Sequence, residues 1–473
     1  MPSATATIAT PPPAALPVNV IDALLHNFVQ CRDMVAVEYA HATIEGRVDS
    51  LTYGELSNKV FKVVNYITFS GFAPADRLAV WSGLRPEALF ADLGAVVAGG
   101  ISTSIAATAT IDDVVTVVAD LAVRYLFVEN EHQVDALKAR RKDLPTVQHV
   151  FVFDIEQMDT PDDDWCVSFA WMMTRPTQVL NIGIVHDLRR DTPPDALFSV
   201  HYPDYRKRCG VALTHATLLT AAEGLAERLP TQPTDTAPAL VQQYFVRTTL
   251  DDYYTRLFTY LTLIWAKKLI LTPPNTALRT LLRDTAPAWM PVRADELTAL
   301  RTDIETYTAD GSLNRFALRA AMRAVELEQT ETPLPTLLKL QLRFYKGRLQ
   351  RISRTFQHKI QFWMTYGAPL PADTARFFHG LGWTVLQSFG TTESGGFATL
   401  VPFGTPKPTS VGTPLKGVTI DVAHSRAVRI RPPYTVATPY PANKQPHKSP
   451  PDDFIETDYK GWLTGEWLFV DAE

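Results

Sequence analysis

Two short stretches of this chain carry residues suited to phosphate chemistry, and they disagree. Near the C-terminal end, Ser388-Phe389-Gly390-Thr391-Thr392-Glu393-Ser394-Gly395-Gly396 sets hydroxyls and a carboxylate between glycines and reads like a nucleotide-binding signature. Upstream, where a glycine-rich phosphate loop is expected, stands His201-Tyr202-Pro203-Asp204-Tyr205-Arg206-Lys207-Arg208-Cys209-Gly210. Glycines let backbone N–H groups close around phosphate oxygens with no Cβ in the way. Here His201, Tyr202 and Tyr205 add bulk, Pro203 lacks a donor, and Asp204 brings negative charge.

The elements that must position these residues alternate between strand and helix. Apolar residues recur at helical spacing over Val20 to Cys31 and again from Leu51 to Phe69, where Thr52-Tyr53-Gly54-Glu55 forms a capping signal. Arg77 to Trp81, Ile101 to Ala106, Tyr125 to Val128 and His149 to Phe153 read as buried strands, with a helix over Arg85 to Ala98. This alternation predicts a doubly wound parallel α/β sheet. The middle is more helical: Leu213 to Arg228, Tyr253 to Lys267 and Leu313 to Glu328, with a strand at Lys268 to Leu271. From Val385 onward short strands and Pro/Gly turns take over, including a proline-rich stretch from Pro432 to Pro451.

Composition sets bounds on function. A chain of 473 residues is too long for one core, so two or three packed subdomains are expected. With 45 Lys and Arg against 50 Asp and Glu the net charge is −5, which argues against nucleic acid as a partner. Cys31, Cys166 and Cys209 are scattered and odd in number, so neither a disulfide framework nor a zinc site is indicated and a reducing compartment is the simplest reading. Met1 to Val18 is rich in Ala, Thr and Pro, lacks Lys and Arg, and matches neither a signal nor a transit peptide. No apolar run reaches membrane-spanning length, so a soluble, cytoplasmic protein is expected.

Five motifs, in order, carry a resemblance: Leu51-Thr52-Tyr53-Gly54-Glu55-Leu56, Tyr366-Gly367-Ala368-Pro369-Leu370-Pro371, Phe389-Gly390-Thr391-Thr392-Glu393, Ser410-Val411-Gly412-Thr413-Pro414-Leu415 and Gly461-Trp462-Leu463-Thr464-Gly465-Glu466. In that order the chain resembles the adenylate-forming superfamily, most closely the long-chain acyl-CoA synthetase branch. Pro287-Ala288-Trp289-Met290-Pro291-Val292-Arg293 echoes a segment of that branch. The resemblance implies the large N-terminal domain of that fold, with two doubly wound sheets and a small β-rich subdomain. The expected division is an arm over 1–18, α/β subdomains over 19–200 and 201–390, and a β-rich subdomain over 391–473, with the family's C-terminal catalytic domain and its adenylating lysine absent.

The family's chemistry is ATP-dependent acyl adenylation followed by transfer to a thiol. By resemblance Gly367, Ala368 and Pro369 would contact adenine and Phe389 would stack on it. Gly390 and Thr391 would shape the turn, Thr392 would bond the α-phosphate, Glu393 would hold Mg²⁺, and Glu466 would hold the ribose. In the phosphate-loop position the usual lysine is Cys209, and Lys207 and Arg208 would compensate in part beside Asp204. Plainer readings stand beside these: a polar turn for Thr391 to Glu393, a satisfied histidine at a helix start for His215, a solvated basic loop for Lys207 and Arg208, a solvated acidic loop for Asp162 to Asp164, and an inert thiol for Cys209. Three functions remain open: a catalytically impaired member serving as a structural or interaction subunit with protein partners, a module binding AMP or an acyl ligand without turnover, and an active long-chain fatty acid–CoA ligase using ATP and Mg²⁺. Deleting the proline-rich and N-terminal segments would test them as docking arms.

Overall fold

The computed structural model describes residues 17–40, 46–155, 165–175, 182–208, 210–232, 239–273, 276–285, 287–309, 311–357, 359–405, 407–433, 439–440 and 454–471. Cys209, Asp162 to Asp164, most of the N-terminal arm and most of the Pro432 to Pro451 stretch therefore lie outside the described residues.

The strands fall into four sheets. The largest has eight, in the order Pro439–Tyr440, Gly210–Thr214, Leu197–His201, Ile101–Ile105, Arg77–Trp81, Tyr125–Asn130, His149–Asp154 and Cys166–Ser168. From Leu197–His201 to Cys166–Ser168 every pairing is parallel, whereas Gly210–Thr214 returns antiparallel to Leu197–His201 as a hairpin. A second sheet aligns Trp289–Arg293, Phe362–Tyr366 and Val385–Phe389 in parallel and adds two short antiparallel strands, Thr399–Leu400 and Thr413–Pro414. A third pairs Gln243–Val246, Lys268–Leu271 and Val35–Ala40 in parallel, with Val48–Thr52 antiparallel at its edge. The fourth is wholly antiparallel: Thr419–Val422, Ala427–Arg431, Ile455–Thr464 and Trp467–Val470.

The third sheet was not visible in the sequence. Val37 pairs with Leu269 across more than two hundred residues of chain, and local periodicity carries no information on such long-range pairing.

Local signals explain the elements themselves. Thr52 and Glu55 form a capping box at the start of the helix Tyr53–Phe69, and Thr110 with Asp113 does the same for Ile111–Leu121. The helix Pro86–Val97 opens on Pro86 and is buried on every side from Ala88 to Val97, which is why its sequence is apolar all round rather than amphipathic. It packs with Val20–Gln30, Tyr53–Phe69 and Tyr253–Ile264 into the main core, which includes Val63, Leu93, Tyr125, Phe258 and Leu261. Separate cores lie on the other face of the large sheet, around Trp363 and Trp383, and within the antiparallel sheet. Among the described residues no helix is long and apolar enough to cross a membrane.

Candidate functional site

Two of the sequence motifs emerge side by side. Phe362–Tyr366 and Val385–Phe389 are adjacent parallel strands, so the turns that follow them, at Gly367 and Gly390, leave the same edge of one sheet. That is the place where open α/β sheets bind ligands. Gly367 has φ +80° with open space where a Cβ would stand, so glycine is favoured there by backbone conformation, not by crowding. Ala368 is exposed and Pro369 buried. Buried polar groups lock the two turns together: Ser388 Oγ donates to Thr365 O at 2.7 Å, and the Leu370 N–H donates to Gln387 Oε1 at 3.3 Å.

After Gly390 the chain makes a tight turn. The Thr391 N–H donates to Ser394 Oγ at 2.9 Å, Ser394 N–H donates back to Thr391 Oγ1 at 3.3 Å, and Gly396 N–H donates to Thr391 O at 2.8 Å. Thr391 is thus consumed by the turn. Thr392 is half-buried, and its hydroxyl has no partner among the described residues. Glu393 is exposed, and no group of three His, Cys, Asp or Glu side chains among the described residues converges as a metal site would. Phe389 does not offer its ring to a ligand. It is 1% exposed and meets Tyr459 edge-on at 5.4 Å, in the core of the antiparallel sheet. Glu466 is exposed at the hairpin turn between Ile455–Thr464 and Trp467–Val470.

The hairpin that joins Leu197–His201 to Gly210–Thr214 turns its bulk inward. His201 and Tyr202 are buried, Tyr202 among Val200 and Ala212. A Cβ on Gly210 would come within 2.5 Å of Val200 Cγ1 and 3.1 Å of the Tyr202 ring, so this glycine now serves side-chain packing. Tyr205 accepts a hydrogen bond from the Ala106 N–H at 3.0 Å, and burial pushes its phenol up to about 12. Asp204 caps the following 3-10 turn by accepting from the Arg206 N–H at 3.0 Å. Lys207 and Arg208 are exposed. The positive φ of 48° at Arg208, a left-handed conformation on a non-glycine residue, closes the turn.

A row of aromatic rings joins this hairpin to the two nucleotide turns. His201 meets Tyr253 at 5.4 Å, Tyr253 meets Tyr254 at 5.4 Å, and Tyr254 lies on Tyr366 at 4.7 Å. The Tyr254 hydroxyl donates to the carbonyl oxygens of Gly390 and Gly396 at 3.2 and 3.3 Å, and its ring also meets Phe397 at 5.6 Å. Burial pushes the Tyr254 phenol upward. Both tyrosines open the helix Tyr253–Ile264, capped by Asp252, whose carboxylate accepts from the Thr255 N–H at 2.8 Å. Sequence reading placed this helix but gave Tyr253 and Tyr254 no role, because adjacent aromatics at a helix start look the same whether they fill a core or bridge two loops.

Beneath the row lies a buried charge network. Arg256 donates to Asp92 at 2.6 Å and to Ser104 Oγ at 2.9 Å. Ser102 and Tyr260 donate to the two oxygens of Asp92 at 2.5 and 2.7 Å. Asp92 and Arg256 are 0% and 2% exposed. Burial together with the Arg256 cation pushes His201 down to about 4, so its imidazole is neutral near pH 7. A signal for this network was present: Asp92 is the one acid in the apolar run from Ala88 to Val97. His215 serves structure, its buried Nδ1 accepting from the Val20 N–H at 3.2 Å.

The residues present do not fit a triphosphate. The hairpin presents buried aromatic side chains in place of a cradle of backbone N–H groups, Tyr254 bridges the turns, and Phe389 is enclosed. A small cleft of about 10 Å³, space for roughly one water, lies among Val80, Leu84, Leu89 and Leu250 with Ser82, Arg85 and Ser104, and no residue of the two nucleotide turns lines it.

The family model described as AMP-binding enzyme matches residues 26–198 and 207–434. The interval between the matched blocks, 199–206, covers the end of Leu197–His201 and the start of the hairpin turn. No curated protein matches the chain significantly in sequence. Among solved structures, the N-terminal domain of FACL13 from Mycobacterium tuberculosis superposes with a TM-score of 0.68 at 14% identity, covering 96% of this chain and 99% of that one. The anthranilate CoA ligase AuaEII in complex with anthranoyl-AMP gives 0.64 at 14% identity, covering 96% and 77%. VinN in complex with L-aspartate gives 0.66 at 18% identity, covering 97% and 100%. At such identities these likenesses show the fold.

Proposed function

The chain belongs to the AMP-binding enzyme family, and from that premise we propose that it is a member that no longer adenylates, retained as a structural or interaction subunit of a larger assembly. The family's acid–thiol ligase chemistry relies on positioning a nucleotide and neutralising charge on its phosphates. The observation that carries the proposal is the aromatic row His201–Tyr253–Tyr254–Tyr366, which spans the space between the hairpin and the two turns.

A second reading, a module that binds AMP or an acyl ligand without turnover, is favoured by the two kept turns at Gly367 and Gly390, which leave the same edge of one parallel sheet. A thermal-shift titration with Mg-ATP, AMP and a non-hydrolysable palmitoyl-adenylate analogue separates the readings. A ligand at about 100 times its Kd adds about 2.7 kcal/mol to stability, which is readily seen. The proposal expects no shift with any of the three. A shift with AMP or the analogue but not Mg-ATP selects the binding module, and a shift with Mg-ATP overturns both.

A further inference from the structure

The helix Thr336–Gln357 differs from the rest of the surface in both charge and exposure. One stripe along it, at Leu338, Leu342, Tyr345, Leu349, Ile352 and Phe356, recurs every three or four residues and packs on the body of the protein. Leu338 meets Ala320 and Ala324 of the neighbouring helix Ser312–Gln329, and Ile352 and Phe356 enter the core around Trp363 and Trp383. The helix is therefore held lengthwise against the fold, about 33 Å of it. Leu337, Leu340 and Phe344 point away from that stripe and are 69%, 60% and 72% exposed. Their spacing of three and four residues places them on one face.

The charges around them are of one sign. The helix carries Lys339, Arg343, Lys346, Arg348, Arg351 and Arg354 and contains no Asp or Glu. Among the described residues none of these cations makes an ion pair. Several arginines elsewhere on the surface are neutralised locally, Arg85 by Asp154, Arg140 by Asp143, Arg323 by Glu326 and Arg376 by Asp373, although Arg206, Arg315 and Arg319 are not among the described residues' ion pairs. A block of unpaired positive charge in a chain of net charge −5 is a local feature of this helix.

We propose that the outward face of Thr336–Gln357 docks on an anionic lipid bilayer, with Leu337, Leu340 and Phe344 entering the boundary between headgroups and acyl chains. Apolar side chains flanked by long cationic stems are the chemistry of a helix lying in a membrane interface: the stems follow the apolar surface and the charged ends stay with the headgroups. A purely polyanionic partner would satisfy the cations and leave the three large apolar side chains in water. The face is also convex, being one side of a single helix, and suits a broad deformable surface. This inference stands independently of whether the nucleotide site is vestigial.

The test is flotation of the purified full chain with vesicles of phosphatidylcholine alone and with about one-third phosphatidylserine. The expected result is binding to the mixed vesicles only, weakened by salt. Lys339→Gln with Arg343→Gln and Lys346→Gln should lower partitioning by at least about tenfold, since each surface cation contributes to attraction by an anionic leaflet. Leu340→Gln with Phe344→Gln should lower it comparably while leaving the melting temperature unchanged, because both side chains are already in water. Failure to bind mixed vesicles at low salt overturns the proposal. So does binding that is lost in the charge variant and retained in the apolar one, which would assign the face to an acidic protein or another polyanion.

Discussion

The turns after Phe362–Tyr366 and Val385–Phe389 and the hairpin around 202–209 serve one nucleotide in this family, yet this chain treats them differently. In the function proposed above, the turns keep their motif and the hairpin does not. The reason lies in what else each region supports. The turns end parallel strands of a buried sheet and are cross-linked through Ser388, Gln387 and Thr365, so their residues are held by the fold whether or not a ligand binds. The phosphate loop needs its glycines only for phosphate. Under the same proposal that demand is gone, and buried side chains such as His201 and Tyr202 add packing in its place. A retained motif is therefore weak evidence of a retained activity where the fold itself requires it.

The largest effect is expected from the network beneath both regions. Asp92→Ala leaves Arg256 buried without its carboxylate, and equilibrium denaturation should report a loss of about 3–5 kcal/mol. A loss below about 1 kcal/mol would mean that the pair does not anchor the helix that carries the tyrosines.

Next comes pH, which singles out the hairpin side. Burial, aided by Arg256, holds His201 at about 4, and burial alone holds His215 at about 4, against about 6.5 in an unfolded chain. Between these values the unfolded state binds more protons, so stability rises with pH. The contribution is complete above about 6.5 and is lost as pH falls towards 4, on the order of 2–3 kcal/mol for each histidine. His201→Phe should remove about half of that slope, as read from denaturation midpoints at several pH values.

A smaller effect is expected at the bridge. Tyr254→Phe keeps the ring on Tyr366 but loses the hydrogen bonds to Gly390 and Gly396, costing about 1 kcal/mol. Because the ring still spans the gap, AMP should produce no thermal shift in this variant either. The smallest contrast lies within the kept motif. Thr391→Ala should cost about 1 kcal/mol through its turn contacts with Ser394, whereas Thr392→Ala should stay within about 0.5 kcal/mol. An equal cost at both positions would show that the Thr392 hydroxyl has a role the turn geometry does not reveal.

Much of the fold was legible because its signals are local. Arg77–Trp81 and Lys268–Leu271 are strands over the expected residues, and Thr52 with Glu55 caps a helix as its spacing suggests. The helix read over Leu213 to Arg228 begins later, at His215, because Leu213 and Thr214 complete the hairpin strand. The helix Thr336–Gln357 was not read at all. Its buried stripe has helical period, but a second exposed apolar set and dense positive charge blur the contrast between faces.

At the site, the order of motifs pointed to the family and the changed hairpin pointed to a lost phosphate cradle. What the sequence did not reveal was side-chain direction. Phe389 could not be assigned to the core, nor Lys207 to solvent, from residue type, because each depends on the strand register and turn geometry around it. The Tyr253–Tyr254 bridge links segments more than a hundred residues apart, beyond the reach of any local pattern.

The central claim, that packed aromatic side chains have displaced the phosphate-binding half of the site, is tested most directly by isothermal titration of the purified chain with Mg-ATP up to several millimolar. No saturable heat is expected. A one-to-one isotherm with a Kd below about 1 mM that AMP competes away would contradict it, and would require the row from His201 to Tyr366 to open when nucleotide arrives.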